Sequence, residues 1–145
     1  MRIASRPLLA CMMLSLATPP SVRAAGDMVL SKVMETQGRN MRLIAGGIAR
    51  EDYGEVVMGA MAVIDPSHPP ATLAEKFELM RFLGGKIGRF RALDRDTKER
   101  AAALVEAART RDGEATIDAF QRLQTSCLAC HAEFRKPFRD HFNRE

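Results

Sequence analysis

The sequence predicts an all-α domain built as a mostly up-and-down four-helix bundle. Apolar residues recur at three- and four-residue intervals in several long segments, and this spacing places them on one face of a helix. No segment shows a sustained alternation of β-branched and polar residues, the pattern of a half-buried strand. Pairs rich in Gly, Pro and Asp separate the helical segments. A helical bundle is the simplest fold that satisfies these observations.

Residues 1–24 have the organisation of a signal peptide. Arg2 and Arg6 precede an apolar run over residues 8–17, and residues 22–24 (Val-Arg-Ala) offer small side chains where a signal peptidase cleaves. We expect cleavage after Ala24, which leaves residues 25–145 as a mature domain exported to the periplasm. The apolar run is about half of the roughly twenty residues that a membrane-spanning helix needs, so we expect no membrane span in the mature chain.

Cys11 offers a competing interpretation of this segment, because residues 8–11 (Leu-Leu-Ala-Cys) resemble the box that precedes a lipid-modified cysteine. The apolar run continues past Cys11, and only Pro7 separates the box from the basic residues. These features favour removal of Cys11 together with the signal peptide.

The net charge argues against a nucleic-acid partner. The formal charge of +4 includes three arginines of the predicted signal peptide, which contains no acid, so the mature chain carries 19 basic and 18 acidic residues. Basic residues alternate with aromatic ones at Arg81-Phe82 and again over residues 89–91. We interpret this pattern as a solvated basic face over a buried aromatic one.

The first two helices are predicted over residues 28–49 and 52–64. The first is expected to turn one line of side chains inward: Leu30, Met34, Gln37, Met41, Ile44 and Ile48. The second is expected to bury Tyr53, Val56 or Val57, Ala60 and Ile64, and it ends at the proline-rich stretch from Asp65 to Pro70.

The connection over residues 65–95 is the least regular part of the sequence. Thr72 can cap a segment over residues 72–83, which is either an extra helix or part of a long crossover. This segment is expected to bury Leu73, Phe77, Met80 and Leu83 before Gly84-Gly85 stops or bends it.

Two further helices follow this connection. Asp96 and Glu99 form a candidate capping box for a helix that buries Ala101, Leu104, Val105 and Ala108 and ends at Asp112-Gly113. The last helix begins at Glu114 and should end or kink near Lys136, because Pro137 cannot donate a helical hydrogen bond. Its predicted inward line is Ile117, Phe120, Gln124, Cys127, His131 and Phe134.

The last helix carries the motif Cys127-Leu128-Ala129-Cys130-His131, the attachment signature of a c-type haem. Two thiols three positions apart project from one helical turn, where each can form a thioether with one vinyl group. His131 then presents its imidazole to the iron as the proximal ligand. We therefore predict one covalently attached haem c, and we expect it to be added outside the cytoplasm, in agreement with the export signal.

Three other interpretations of the two cysteines compete with haem attachment. A thioredoxin-like redox pair expects a strand-turn-helix setting, which the sequence does not predict. A zinc site needs four ligands, and the other histidines are His68 in a proline-rich loop and His141 near the terminus. A structural disulfide across three positions of a helix would be strained.

Residues 127–135 (Cys-Leu-Ala-Cys-His-Ala-Glu-Phe-Arg) resemble the end of the cytochrome c-prime family, and residues 32–41 resemble the first helix of its low-spin branch, the cytochromes c-556. The resemblance is strong over residues 30–50 and 113–136 and weak between them. It implies a four-helix bundle with covalent haem on Cys127 and Cys130. It also implies that His131 is the proximal ligand and that Arg135 lies beside the haem.

The same resemblance implies that Met34 faces the other side of the iron and completes its sixth bond. The alternative is that Met34 is one more core methionine, as Met41 on the same line would be. Antiparallel packing of the first and last helices favours Met34, because it sets the start of the former against the end of the latter.

These observations predict a periplasmic one-electron carrier with periplasmic redox proteins as partners and no catalytic site, and they leave a homodimer open. The sequence offers no Ser-His-Asp set, second metal cluster or paired carboxylates for acid-base work. One rival is a five-coordinate cytochrome c-prime that binds nitric oxide or carbon monoxide. A second rival is a sensor or interaction module in which the haem is structural.

Overall fold

The computed structural model describes residues 28–142, so the predicted signal peptide, its cleavage site and Cys11 lie outside the described residues. This region contains five α-helices and no strand: α1 (Val29–Ala49), α2 (Tyr53–Ile64), α3 (Leu73–Leu83), α4 (Ile87–Arg109) and α5 (Gly113–Phe142). A 3₁₀ turn, Gly84–Lys86, joins α3 to α4. The helices α1, α2, α4 and α5 form the bundle, which confirms the predicted fold class.

The bundle is closed unevenly around its axis. Helix α1 packs along α2, α2 along α4, and α4 along α5, whereas α1 and α5 meet at only a few positions. The main core lies between the four helices and is centred on Ile44, Val56, Leu104 and Leu123. A second apolar cluster joins Met28 at the start of α1 to Phe138 and Phe142 at the end of α5.

Helix α4 begins at Ile87, ten residues before the start that a cap at Asp96 predicts. Residues 87–95 continue the helix, and Asp96 lies inside it, where its carboxylate is 3.2 Å from the guanidinium of Arg100 one turn later. The prediction of a capping box at Asp96 was therefore wrong, because an i,i+4 ion pair satisfies this carboxylate within the helix. Four predicted core residues of α4 are confirmed as buried: Ala101, Leu104, Val105 and Ala108.

The segment over residues 72–83 is an extra helix, and Thr72 and Glu75 form its capping box. Leu83 is buried as predicted, but Leu73, Phe77 and Met80 are exposed. The expected inward line was wrong because α3 contacts the bundle through the opposite face, with Leu79 and Phe82.

Helix α5 is rotated relative to the predicted inward line. Ile117 and Gln124 are exposed, while Thr116, Ala119, Leu123 and Ser126 are buried. The two hydroxyls can be buried because each donates to a backbone carbonyl of its own helix, Thr116 to Asp112 and Ser126 to Leu123.

Helix α5 also continues through Pro137 to Phe142 instead of ending near Lys136. Burial of Phe138 and Phe142 against Met28 stabilises this last segment, and it offsets the hydrogen bond that a proline inside a helix removes. None of the helices in residues 28–142 has the length and apolar composition needed to cross a membrane.

Candidate functional site

The candidate site is the middle of α5, where Cys127, Cys130 and His131 all lie half-buried. Residues three apart on a helix are neighbours on its surface, so the two thiols stand side by side within one turn. Both cysteines are free thiols. The arrangement leaves each sulfur available for a separate covalent bond to one planar group.

The two cysteines contact different parts of the protein interior. Cys127 packs against the main core. Cys130 packs against a separate cluster formed by Leu83, Leu93 and Phe134, with further side chains of α3 and α4 around it. The motif therefore straddles the boundary between two apolar clusters.

The apolar clusters are also interrupted along the neighbouring helices. On α1, no residue from 31 to 40 belongs to an apolar cluster, although Leu30 and Met41 on either side do. On α4, the clusters are likewise interrupted between Leu93 and Ala101. Two separate apolar clusters therefore meet at the level of the motif.

The surroundings of His131 suit an imidazole that binds metal. Burial lowers the pKa of His131, and the positive charge of Arg135 one turn later lowers it further. A lowered pKa keeps the ring neutral at ordinary pH, and the neutral ring is the form that coordinates iron.

The thiols do not resemble those of a disulfide-exchange protein. Burial raises the pKa of Cys127, and burial together with the charges of Asp94, Cys127 and Glu133 raises that of Cys130, with Arg89 opposing. Redox-active Cys-x-x-Cys pairs have a lowered pKa, because the thiolate is the nucleophile. Nor do three or more His, Cys, Asp or Glu side chains within residues 28–142 gather as a metal-ion cluster would require.

Three methionines on α1 or at its start, Met28, Met34 and Met41, have different environments. Met28 is buried against Phe138 and Phe142, and Met41 packs against the main core. Met34 lies between them on α1 and is 43% exposed, so its predicted place on the inward line of α1 was wrong. Of the three thioethers, that of Met34 is therefore the one that is not packed in an apolar cluster.

The two ends of α1 fix its direction relative to α5. Met28 shares a cluster with Phe138 and Phe142, whereas Ile44 shares one with Leu123. The helices are therefore antiparallel, as predicted, and Met34 lies at a level between these contacts, toward the C-terminal side of the motif. One turn beyond Met34, Gln37 donates from Nε2 to the carbonyl oxygen of Val63 over 3.0 Å, which ties α1 to the end of α2.

Arg135 is exposed one turn after His131. Its positive charge contributes to the lowered pKa of His131. A contact missed by the sequence analysis lies nearby: Arg89 Nε is 3.1 Å from Oε2 of Glu133. This pair joins α4 to the turn that follows His131. No sequence signal pointed to it, since the partners are 44 positions apart and Arg89 was not expected to be helical.

A family model described as Cytochrome C' matches residues 86–135. The match begins at the last residue of the 3₁₀ turn, covers α4 and extends through the motif to Arg135. It supports the cytochrome c-prime family and, with it, a monohaem c-type cytochrome with covalently bound haem c. Met34 lies outside the matched residues. No curated protein and no solved structure gave a significant match.

Proposed function

We propose that this chain is a periplasmic one-electron carrier with a single haem c, ligated by His131 and Met34. The observation that carries the proposal is the position of the motif: Cys127 and Cys130 border two separate apolar clusters, and the half-buried His131 follows them on the same helix. The match over residues 86–135, which includes the motif, also supports the haem.

In this proposal Cys127 and Cys130 hold the haem by thioethers, and His131 binds the iron from α5. The haem supplies one-electron redox chemistry when bound. The protein's own residues would exclude water with the apolar cluster around Leu93 and Phe134, and the continuous helix α5 would orient His131. Burial and the choice of axial ligand are the means by which a protein sets the potential of such a centre.

The proposed role of Met34 rests on its free thioether and on the direction of α1. Met28 and Met41 are engaged in apolar clusters, and antiparallel packing brings the first half of α1 toward the C-terminal half of α5. A thioether on the iron fills the position that an external gas would occupy, so ligation by Met34 favours electron transfer over gas binding.

The test of this function is a spectrum and a redox titration of the full chain expressed with a bacterial haem-attachment system. We expect one covalent haem per chain, a six-coordinate low-spin ferric spectrum and reversible one-electron reduction. A high-spin ferric haem that binds carbon monoxide would replace the proposal by the gas-binding function. Absence of covalent haem would contradict both.

Export is part of the same proposal and is tested separately. Residues 1–24 carry the signal-peptide pattern described above, so the N-terminal sequence of the holoprotein should begin at or within a residue or two of Ala25. A holoprotein that retains Met1 would contradict export by a cleaved signal peptide.

We further propose that two copies associate through the outer face of α2. Glu55 is the one charged residue among the 12 of this helix, and the exposed side chains Met58 and Met61 are 59% and 49% accessible. A helix that is apolar on nearly all sides is usually covered. Sedimentation should show a dimer that Met58→Glu with Met61→Glu dissociates, whereas a monomeric wild-type protein would contradict this association.

A further inference from the structure

Helix α3 carries apolar side chains on two opposite faces. Its inner face packs against the bundle through Leu79, Phe82 and Leu83. Its outer face presents Leu73, Phe77 and Met80, whose spacing of four and three residues aligns them on one side of the helix. These three side chains are 84%, 60% and 50% exposed. An aligned apolar stripe that faces solvent marks a surface that another molecule covers.

Positive charges border this stripe. Successive residues of a helix are 100° apart around its axis, which places Lys76 on one side of the stripe and Arg81 on the other. Both side chains are exposed. Residues 72–91 contain five Lys or Arg against two carboxylates. Of these carboxylates, Glu75 is buried in the N-terminal cap, and Glu78 lies 3.2 Å from Arg81. Five cations against two carboxylates give residues 72–91 a net charge of +3.

The stripe also lies close to the proposed haem attachment. The inner side chains Leu79 and Phe82 belong to the apolar cluster that Cys130 contacts. Only the thickness of α3, about 10 Å with its side chains, separates the outer face from that cluster. A molecule bound there is brought near the redox centre of the proposed carrier.

We propose that the α3 face, formed by Leu73, Lys76, Phe77, Met80 and Arg81, docks an electron-transfer protein whose contact surface is apolar at its centre and acidic at its rim. This inference rests on the proposed electron-carrier function and names the class of its partner. The apolar stripe supplies the dehydrated centre of the contact, and the cations steer the partner and fix its orientation. A stripe on a helix of 11 residues suits the small interfaces of transient electron-transfer complexes.

A second copy of the chain does not fit this face as well. A two-fold contact places the same patch on both partners, so the cations beside one stripe would meet those of the other. Repulsion between like charges at a partly dehydrated contact opposes such pairing.

The test measures reduction of the holoprotein by a purified, fully reduced flavodoxin, chosen as an acidic one-electron donor. The test variant combines Lys76→Glu, Arg81→Glu and Phe77→Ser. We expect its second-order rate constant at low ionic strength to fall at least about tenfold below that of the wild type, within the range of electrostatic steering. The charge-dependent part of this difference should shrink above roughly 0.5 M salt.

A matched control variant carries the same change in charge and polarity away from α3: Arg42→Glu, Arg122→Glu and Ile117→Ser. These three residues are exposed on α1 and α5. The control should keep the wild-type rate constant to within about twofold. Both variants should keep the wild-type spectrum and midpoint potential, because none of the changed residues belongs to the motif or is a member of an apolar cluster. A variant with Phe77→Ser alone should lose part of the rate at every salt concentration.

Equal rates for the test variant and the wild type, or equal losses in the test and control variants, would overturn the α3 docking face and leave the electron-carrier function intact. Failure of the wild-type holoprotein to undergo reversible reduction would instead contradict the function itself. Two further measurements check the occupant. If the holoprotein sediments with phosphatidylglycerol vesicles and this depends on Lys76 and Arg81, the face binds a membrane surface. If the test variant is a monomer while the wild type and the control variant are dimers, the face binds a second copy.

Discussion

A Cβ atom at Gly59 would lie 2.7 Å from Cγ1 of Ile44 and 3.3 Å from the carbonyl oxygen of Asn40. Helices α1 and α2 therefore approach each other so closely at this point that a side chain at position 59 would meet Ile44. Ile44 is fully buried in the main core, so its side chain has little room to move aside. This contact fixes the distance between the two helices that lead toward Met34 and Val63.

The first prediction is that Gly59→Ala destabilises the protein by about 2 kcal/mol, because overpacking forces buried side chains off their preferred rotamers. Thermal unfolding of the holoprotein measures the effect. Gly88→Ala is the control, since nothing lies within 4 Å of a Cβ at that helical position. It should be neutral or stabilise by up to about 1 kcal/mol, as alanine replaces glycine in a helix. Equal effects at the two positions would contradict the close approach of α1 and α2.

The second prediction concerns Pro137, which lies inside α5. Pro137→Ala should raise the free energy of unfolding by about 1–3 kcal/mol, because alanine restores a backbone donor and relieves the clash with the preceding turn. Chemical denaturation measures this change. An unchanged or lowered stability would show that the helix does not continue through this position to Phe138 and Phe142.

The sequence predicted the elements whose signals are local. The bounds of α1 and α2, the cap at Thr72 and the buried residues of α4 follow from apolar spacing and capping chemistry, and the structure confirms them. The start of α4 was missed because Asp96 and Glu99 imitate a capping box, while the true boundary depends on the 3₁₀ turn at Gly84–Lys86.

The remaining errors depend on tertiary packing. The rotation of α5 is decided by Thr116 and Ser126, whose hydroxyls bond to the helix backbone and so can be buried. Apolar spacing cannot show this, because it treats both residues as polar. At the site, the motif identified the cysteines and His131, but the division of the interior into separate clusters around Cys127 and Cys130 appears only when the helices are packed.

The third prediction concerns the two cysteines. Changing Cys127 and Cys130 together to Ser should give a chain without covalent haem that folds poorly. Without the haem, a small bundle loses the apolar group proposed to pack between the clusters around the two cysteines. Circular dichroism during thermal unfolding measures this outcome. A stable and cooperatively folded haem-free chain would contradict a structural contribution of the haem.

The fourth prediction is that His131→Gly, with both cysteines retained, still attaches some haem but loses the proximal nitrogen. The space left by the ring should admit imidazole from solution, and added imidazole should restore a spectrum close to that of the wild type. Titration of the variant with imidazole, followed by absorbance, measures this rescue. A wild-type spectrum without imidazole would show that His131 is not the proximal ligand.

The last prediction concerns Met34, because it distinguishes the two leading functions. A thioether on the iron stabilises the ferrous state and occupies the face where a gas would bind. Met34→Ala should therefore convert the low-spin haem to a high-spin form that binds carbon monoxide readily, with a lowered midpoint potential. Since Met34 is partly exposed and belongs to no apolar cluster, the spectrum should change more than the stability does.

Met41 supplies the internal control for this prediction. It lies seven residues further along α1, roughly 10 Å away at 1.5 Å per residue, so the two thioethers cannot serve the same iron position. Because Met41 packs against the main core, Met41→Ala should lower the stability by about 2 kcal/mol, as truncation of core methionines does, and leave the low-spin spectrum unchanged. A spectrum that follows Met41 and ignores Met34 would place the wrong residue on the iron. A wild-type protein that is already high-spin would favour the gas-binding function, because the methionine would then leave the sixth position open.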